Sequence, residues 1–121
     1  MQNRQVNFVK NLESDLRLLT SSADEQVKWL KKEEKFWLPV DELALEFNER
    51  FILVDSEKEK CGLSDDLVKC LNRLDESLTK MSGEHNAELW TYEALAQSQE
   101  WADVRVLASQ CINLLPKLQN Y

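Results

Sequence analysis

Between Ser64 and Gly83 the chain places Leu67, Cys70 or Leu71, Leu74, Leu78 and Met81 at alternating steps of three and four residues. On an α-helix that spacing gathers the apolar groups on one stripe and leaves the rest to water. Ser64 stands where an N-cap belongs, Asp65 and Asp66 sit at the positive end of the helix that follows, and Gly83 supplies the stop. The step recurs at Val6, Val9, Leu12, Leu16 and Leu19, which predicts a first helix running to Thr20. No stretch alternates apolar and polar residues over the length of a strand, and two Gly in 121 residues leave hairpin turns without their usual residue.

The remaining punctuation is also helical. Ser22 followed by Glu25 has capping-box spacing and opens a second helix with Val27, Leu30 and Trp37 inward, broken near Leu38 by Pro39. Asp41 then caps a third helix, carrying Leu43, Phe47, Phe51 and Val54 and ending at Gly62. After a polar stretch around His85, Thr91 caps a short helix through Ala94 and Leu95. Ser98 opens a last one with Trp101, Val104, Ala108, Cys111 or Ile112, and Leu115, fraying at Pro116. The expected fold is all-α: residues 1–121 as a single-domain helical bundle of four main helices plus one or two short ones. A chain of this length hides roughly two-thirds of its unfolded surface, enough for a core without metal or disulfide staples.

Charge narrows the partners. The net charge is -7, and residues 41–103 hold sixteen acidic against six basic side chains, a local balance of -10. Such a surface repels phosphate backbones and anionic lipid, so neither nucleic acid nor membrane is an expected partner. Lys28, Lys31, Lys32 and Lys35 interleave with Trp29, Phe36 and Trp37, but Glu33 and Glu34 lie in the same run. It reads as an ion-paired surface whose lysine stems cover the aromatics. Cys61, Cys70 and Cys111 form no CxxC pair and their number is odd, which fits a reducing cytoplasm and small core residues. The opening Met1-Gln2-Asn3-Arg4-Gln5-Val6 lacks the order of a secretory leader, so the expected location is cytoplasmic.

Catalytic constellations are missing from this reading. The single histidine, His85, has no second ligand at metal spacing, and neither a zinc motif nor Glu-x-x-His occurs. No metal or other cofactor is expected. Asp41, Glu42, Glu46 and Glu49 are the nearest approach to a carboxylate magnesium site, but Glu42, Glu46 and Glu49 share the helix face opposite Leu43, Phe47 and Phe51, as solvated residues do. A magnesium-dependent phosphohydrolase is therefore the least favoured reading. No Gly-rich phosphate loop exists, and no base can be matched to a nucleophile, so no catalytic residue is assigned and a non-enzyme is expected.

One resemblance supplies a function. The order Leu43-Ala-Leu-Glu-Phe47-Asn-Glu-Arg-Phe51, Gly62-Leu63-Ser64, Leu71-Asn-Arg-Leu74-Asp75-Glu-Ser-Leu78, Met81-Ser82-Gly83, Leu89-Trp90-Thr91, Ala94-Leu95 and Trp101-Ala-Asp-Val104-Arg105-Val-Leu-Ala108 resembles small acidic bacterial immunity proteins. These are the kind paired with contact-dependent growth-inhibition toxins or bacteriocins. The likeness spans Leu43 to Leu115 and leaves residues 1–40 outside it. It implies a non-enzymatic inhibitor that blocks the active site or substrate groove of a cognate toxin with a basic surface, a nuclease above all. The contact residues it implies are solvent-facing acids: Glu46, Glu49, Asp55, Glu57, Glu59, Asp65, Asp66, Asp75 and Glu76. An acidic helical adaptor or nucleic-acid mimic would share the same field. Trp90, Trp101 and Arg105 fall in structural contexts, and Arg105 is expected to pair near Asp103 or with a buried carboxylate.

Overall fold

The computed structural model describes residues 3–117, and every regular element among them is helical, with no strand. Met1 and Gln2, the start of the stretch read for a leader, lie outside the described residues. Seven α-helices run in order: α1 Asn3–Thr20, α2 Ala23–Leu30, α3 Asp41–Phe51, α4 Val54–Glu57, α5 Asp65–Lys80, α6 Tyr92–Gln97 and α7 Gln99–Asn113. A 3-10 segment at Glu84–Trp90 joins α5 to α6. The all-α class is what the structure shows, with seven helices where four main helices and one or two short ones are expected from the sequence.

The core follows from the stripes. α1 buries Phe8, Val9, Leu12, Leu16 and Leu19, and lies against α7 and α3. α5 contributes Leu67, Cys70, Leu71, Leu74 and Leu78, and packs on α7. α7 brings Trp101, Val104, Ala108 and Cys111 between them. Each fully buried leucine here is worth about 1.5–3 kcal/mol relative to leaving it in water. Four serine or threonine caps hold the starts. The side-chain oxygens of Ser22, Ser64, Thr91 and Ser98 accept from the amides of Glu25, Leu67, Ala94 and Trp101 at 3.1–3.3 Å. At Ser22 only this half of a capping box forms, because the Glu25 carboxylate turns to Lys28 at 3.4 Å instead.

Three boundaries differ from the sequence reading. α2 stops at Leu30, and Trp37 is 60% exposed rather than inward. The next positions on the buried stripe are Glu33 and Glu34, so a helix continuing to Trp37 would carry a carboxylate into the core, at a cost that ends it. The chain instead doubles back: the Leu38 amide donates to the Leu30 carbonyl at 2.9 Å, and the Tyr92 hydroxyl donates to the Leu38 carbonyl at 2.7 Å. Lysine does cover aromatics here, with the Lys31 ammonium 4.1 Å over Trp37 and that of Lys32 4.1 Å over Trp29. Asp41 is the first residue of α3 and makes no cap hydrogen bond; Val40 holds the N-cap position. Finally, the third helix is interrupted at Ile52–Leu53, where the Leu53 amide reaches back three residues to Arg50, and the ladder resumes from Glu57 to Leu53. The end at Gly62 is a glycine stop of Schellman type: Gly62 has φ +68° and the Leu63 amide donates to the Lys58 carbonyl at 2.9 Å.

Candidate functional site

The side of α3 turned from the core, with the turn that follows it, gathers three of the exposed large apolar side chains among acids; α7 has one, Val106, beside Glu100 and Asp103. Leu43 and Phe47 are buried, Phe51 stacks on Phe47 with ring centroids 5.4 Å apart, and the opposite stripe is Leu45, Glu49 and Ile52. Ile52 is 68% exposed, Leu45 48% and Leu53 43%. Leu45 and Ile52 are outside because they lie on that stripe, and Leu53 because the interrupted ladder turns Val54, not Leu53, into the core. Around them stand exposed Asp41, Glu49, Asp55 and Glu59, with Glu46 half-buried. Among the described residues Asp55 pairs only with Lys58, at 3.7 Å in solvent, a pair of little energetic weight.

Behind this face is a buried acid that residue type concealed. Asp15 of α1 lies on the core stripe and accepts from the Arg50 guanidinium at 3.2 Å, joining α1 to α3. Burial pushes its carboxyl up to about 6; Arg50 opposes the rise, and Glu46 and Glu49 add to it. The charges of the two α3 acids are thus felt at Asp15 across the helix.

Glu57 requires a correction, because it is buried rather than solvent-facing. The register 47, 51, 54, 57, 61 carries it inward with Val54 and Cys61. One oxygen meets Arg4 at 3.5 Å, and the other has no partner among the described residues. It lines a cleft of about 470 Å³ shared with Arg4, Asn7, Phe8, Asn11, Arg50 and Leu53, which borders the α3–α4 turn. The other expected contact residues lie on α5. Asp65 and Asp66 are exposed in its first turn, Glu76 is exposed, and Asp75 is half-buried with its carboxyl raised by burial and by Glu76. Exposed Lys69, Arg73 and Lys80 share that helix, so its surface is mixed in sign, and no hydrogen bond or ion pair among the described residues joins this group to α3 and α4.

The residues singled out on α7 and beside it are structural. The Trp101 indole donates to the Leu89 carbonyl at 2.6 Å and the Trp90 indole to that of Met81 at 2.7 Å, with the rings edge-to-face at 5.3 Å. Arg105 pairs with no carboxylate among the described residues, contrary to expectation. Its guanidinium donates to the Ser21 carbonyl at 3.2 Å, to the Gln26 side-chain oxygen at 3.0 Å and to the Leu95 carbonyl. Fully buried Gln26 donates in turn to the carbonyls of Leu18 and Leu19. A cation set against the carbonyl ends of α1 and α6 meets groups that those helices leave unpaired. Burial lowers the Arg105 pKa from its free value.

Among the described residues no three His, Cys, Asp or Glu side chains are placed to hold a metal ion, and no helix is long and apolar enough to cross a membrane. His85 is exposed in the 3-10 segment. Compared with known protein families, curated proteins and solved structures, the chain matches none of them.

Proposed function

We propose that the chain is an immunity protein: a cytoplasmic inhibitor that binds a cognate bacterial toxin domain, a nuclease with a basic groove, and occludes it without chemistry of its own. The observation that carries the reading is the outer face of α3 and its turn, where Leu45, Ile52 and Leu53 stand exposed among Glu46, Glu49, Asp55 and Glu59. Apolar anchors supply affinity once desolvated, and a surrounding acidic field steers a basic partner into register and accelerates encounter. The aromatic patch at Phe36 and Trp37 is the weaker candidate, since Lys31, Lys32 and Lys35 surround it with the wrong sign for such a partner. The α5 acids Asp65, Asp66, Asp75 and Glu76 add to the long-range field.

Co-expression with the product of the gene directly upstream tests the function. Growth arrest by that product alone, relieved by this chain through a one-to-one complex, is the expected result; absence of both arrest and complex would sink the immunity reading. The face has its own test. Combined Glu49→Lys and Asp55→Lys substitution should slow association about tenfold at low salt, and a complex whose association is unchanged would move the contact elsewhere.

A further inference from the structure

The three cysteines are not equivalent. Cys70 of α5 and Cys111 in the last turn of α7 meet in the core with their sulfurs 2.8 Å apart, although 41 residues separate them in sequence. Nonbonded heavy atoms rest at roughly 3.5–4 Å, whereas a disulfide spans about 2.0 Å. The pair thus stands inside ordinary contact and less than an ångström from bonding distance. Cys61 is buried at the turn before α5, with its thiol directed at the Gln5 carbonyl 3.8 Å away. The fold removes it from competition.

We infer that Cys70 and Cys111 are an oxidisable pair that staples α5 to α7 by thiol–disulfide exchange when the chain folds in the presence of a low-molecular-weight disulfide, and that stays open as two thiols in a reducing cytoplasm. One cysteine thiolate attacks a sulfur of the small disulfide, forming a mixed disulfide and expelling one small thiolate. The second cysteine thiolate then attacks the protein sulfur of that mixed disulfide and expels the other small thiolate. The expelled thiolates take up the two protons the cysteines gave up, so the protein loses two hydrogens and the small disulfide is reduced to two thiols. Closure belongs to folding because both thiols are buried in the finished core, where a small disulfide cannot reach them and where burial and the neighbouring sulfur hold Cys111 as the thiol. The α5–α7 contact brings together two thiols that the unfolded chain keeps apart, and the bond in turn restricts the unfolded chain. The staple is independent of the proposed immunity function.

The test is to refold the full chain with glutathione disulfide, or with reduced glutathione as control, then denature, alkylate and map the peptides. Refolding with the disulfide should yield protein lighter by two hydrogens, a Cys70–Cys111 cross-linked peptide and one alkylated thiol at Cys61. The oxidised form should melt about 10 °C above the reduced one. Cys61→Ser should retain the cross-link and the shift, and Cys70→Ala, which keeps a small apolar group in the core, should lose both. Alkylation of all three thiols after oxidative refolding, a bridge that includes Cys61, or a bridged form that melts below the reduced one would each overturn the inference.

Discussion

Two buried polar sites face each other across the logic of this fold. At the α1–α2 corner, Gln26 and Arg105 are fully engaged with one another and with four carbonyls from helix ends. Beside the α3–α4 turn, Asp15 keeps a proton up to about pH 6, and one oxygen of Glu57 has no partner among the described residues. The first site is a closed network of the kind that fixes a unique packing. The second is under-satisfied, and it underlies the exposed apolar and acidic face. Polar groups held at a cost beside a candidate docking surface are where binding, rather than stability, is the better account of their presence.

The contrast can be broken most severely at Arg105. Replacement by Ala strands the Gln26 oxygen and the carbonyls around it, and should cost about 3–4 kcal/mol in urea unfolding; Lys should recover less than half, because it lacks the planar fork. Next is the pH response of Asp15. Its folded-state value of about 6 lies above the free value of 3.8, so the folded chain binds the proton more tightly and stability falls as pH rises between them. Asp15→Asn removes this contribution, and wild type should lose about 2–3 kcal/mol relative to the variant between about pH 4 and about pH 7. A constant difference across that range would mean that Arg50 fully compensates the burial. Glu57→Gln should change stability by less than about 1 kcal/mol in either direction, since it removes a poorly paired buried charge and keeps the shape. Smallest of all, Ile52→Ser and Leu45→Ser should stay within about 0.5 kcal/mol in thermal unfolding while weakening the proposed toxin complex; a large stability loss would show these side chains to be structural.

Register explains both what the sequence disclosed and what it hid. All four Ser and Thr caps are visible in the bare sequence, because each needs only a hydroxyl before an apolar-periodic run and an amide three residues on. The helix stop at Gly62 is legible for a similarly local reason. Asp15, Gln26 and Glu57 were hidden by residue type: each occupies a buried position of its stripe, next to Leu16, Val27 and Val54, yet reads as a surface residue when judged by polarity. Following the three–four step through polar positions would have found them. Arg105 could not be resolved in this way, since its partners are backbone carbonyls brought from positions 10 and 84 residues away. The candidate face was half legible. Its acids are legible, and Leu45 and Ile52 follow from the stripe opposite Leu43 and Phe47, but Leu53 emerges only with the slipped ladder between α3 and α4, which no proline or glycine marks.

Three of the four tryptophans fall into two optical settings. Trp90 and Trp101 are clasped edge-to-face with both indole N–H groups bonded to carbonyls, while Trp37 stands in solvent beneath the Lys31 ammonium. Emission from the clasped pair follows the integrity of the core, and emission from Trp37 follows the environment of the loop before α3. Half-buried Trp29, under Lys32, is a third emitter, so Trp37→Phe in a Trp29→Phe background separates the two signals: one for unfolding and another for whatever arrives at that edge of the molecule.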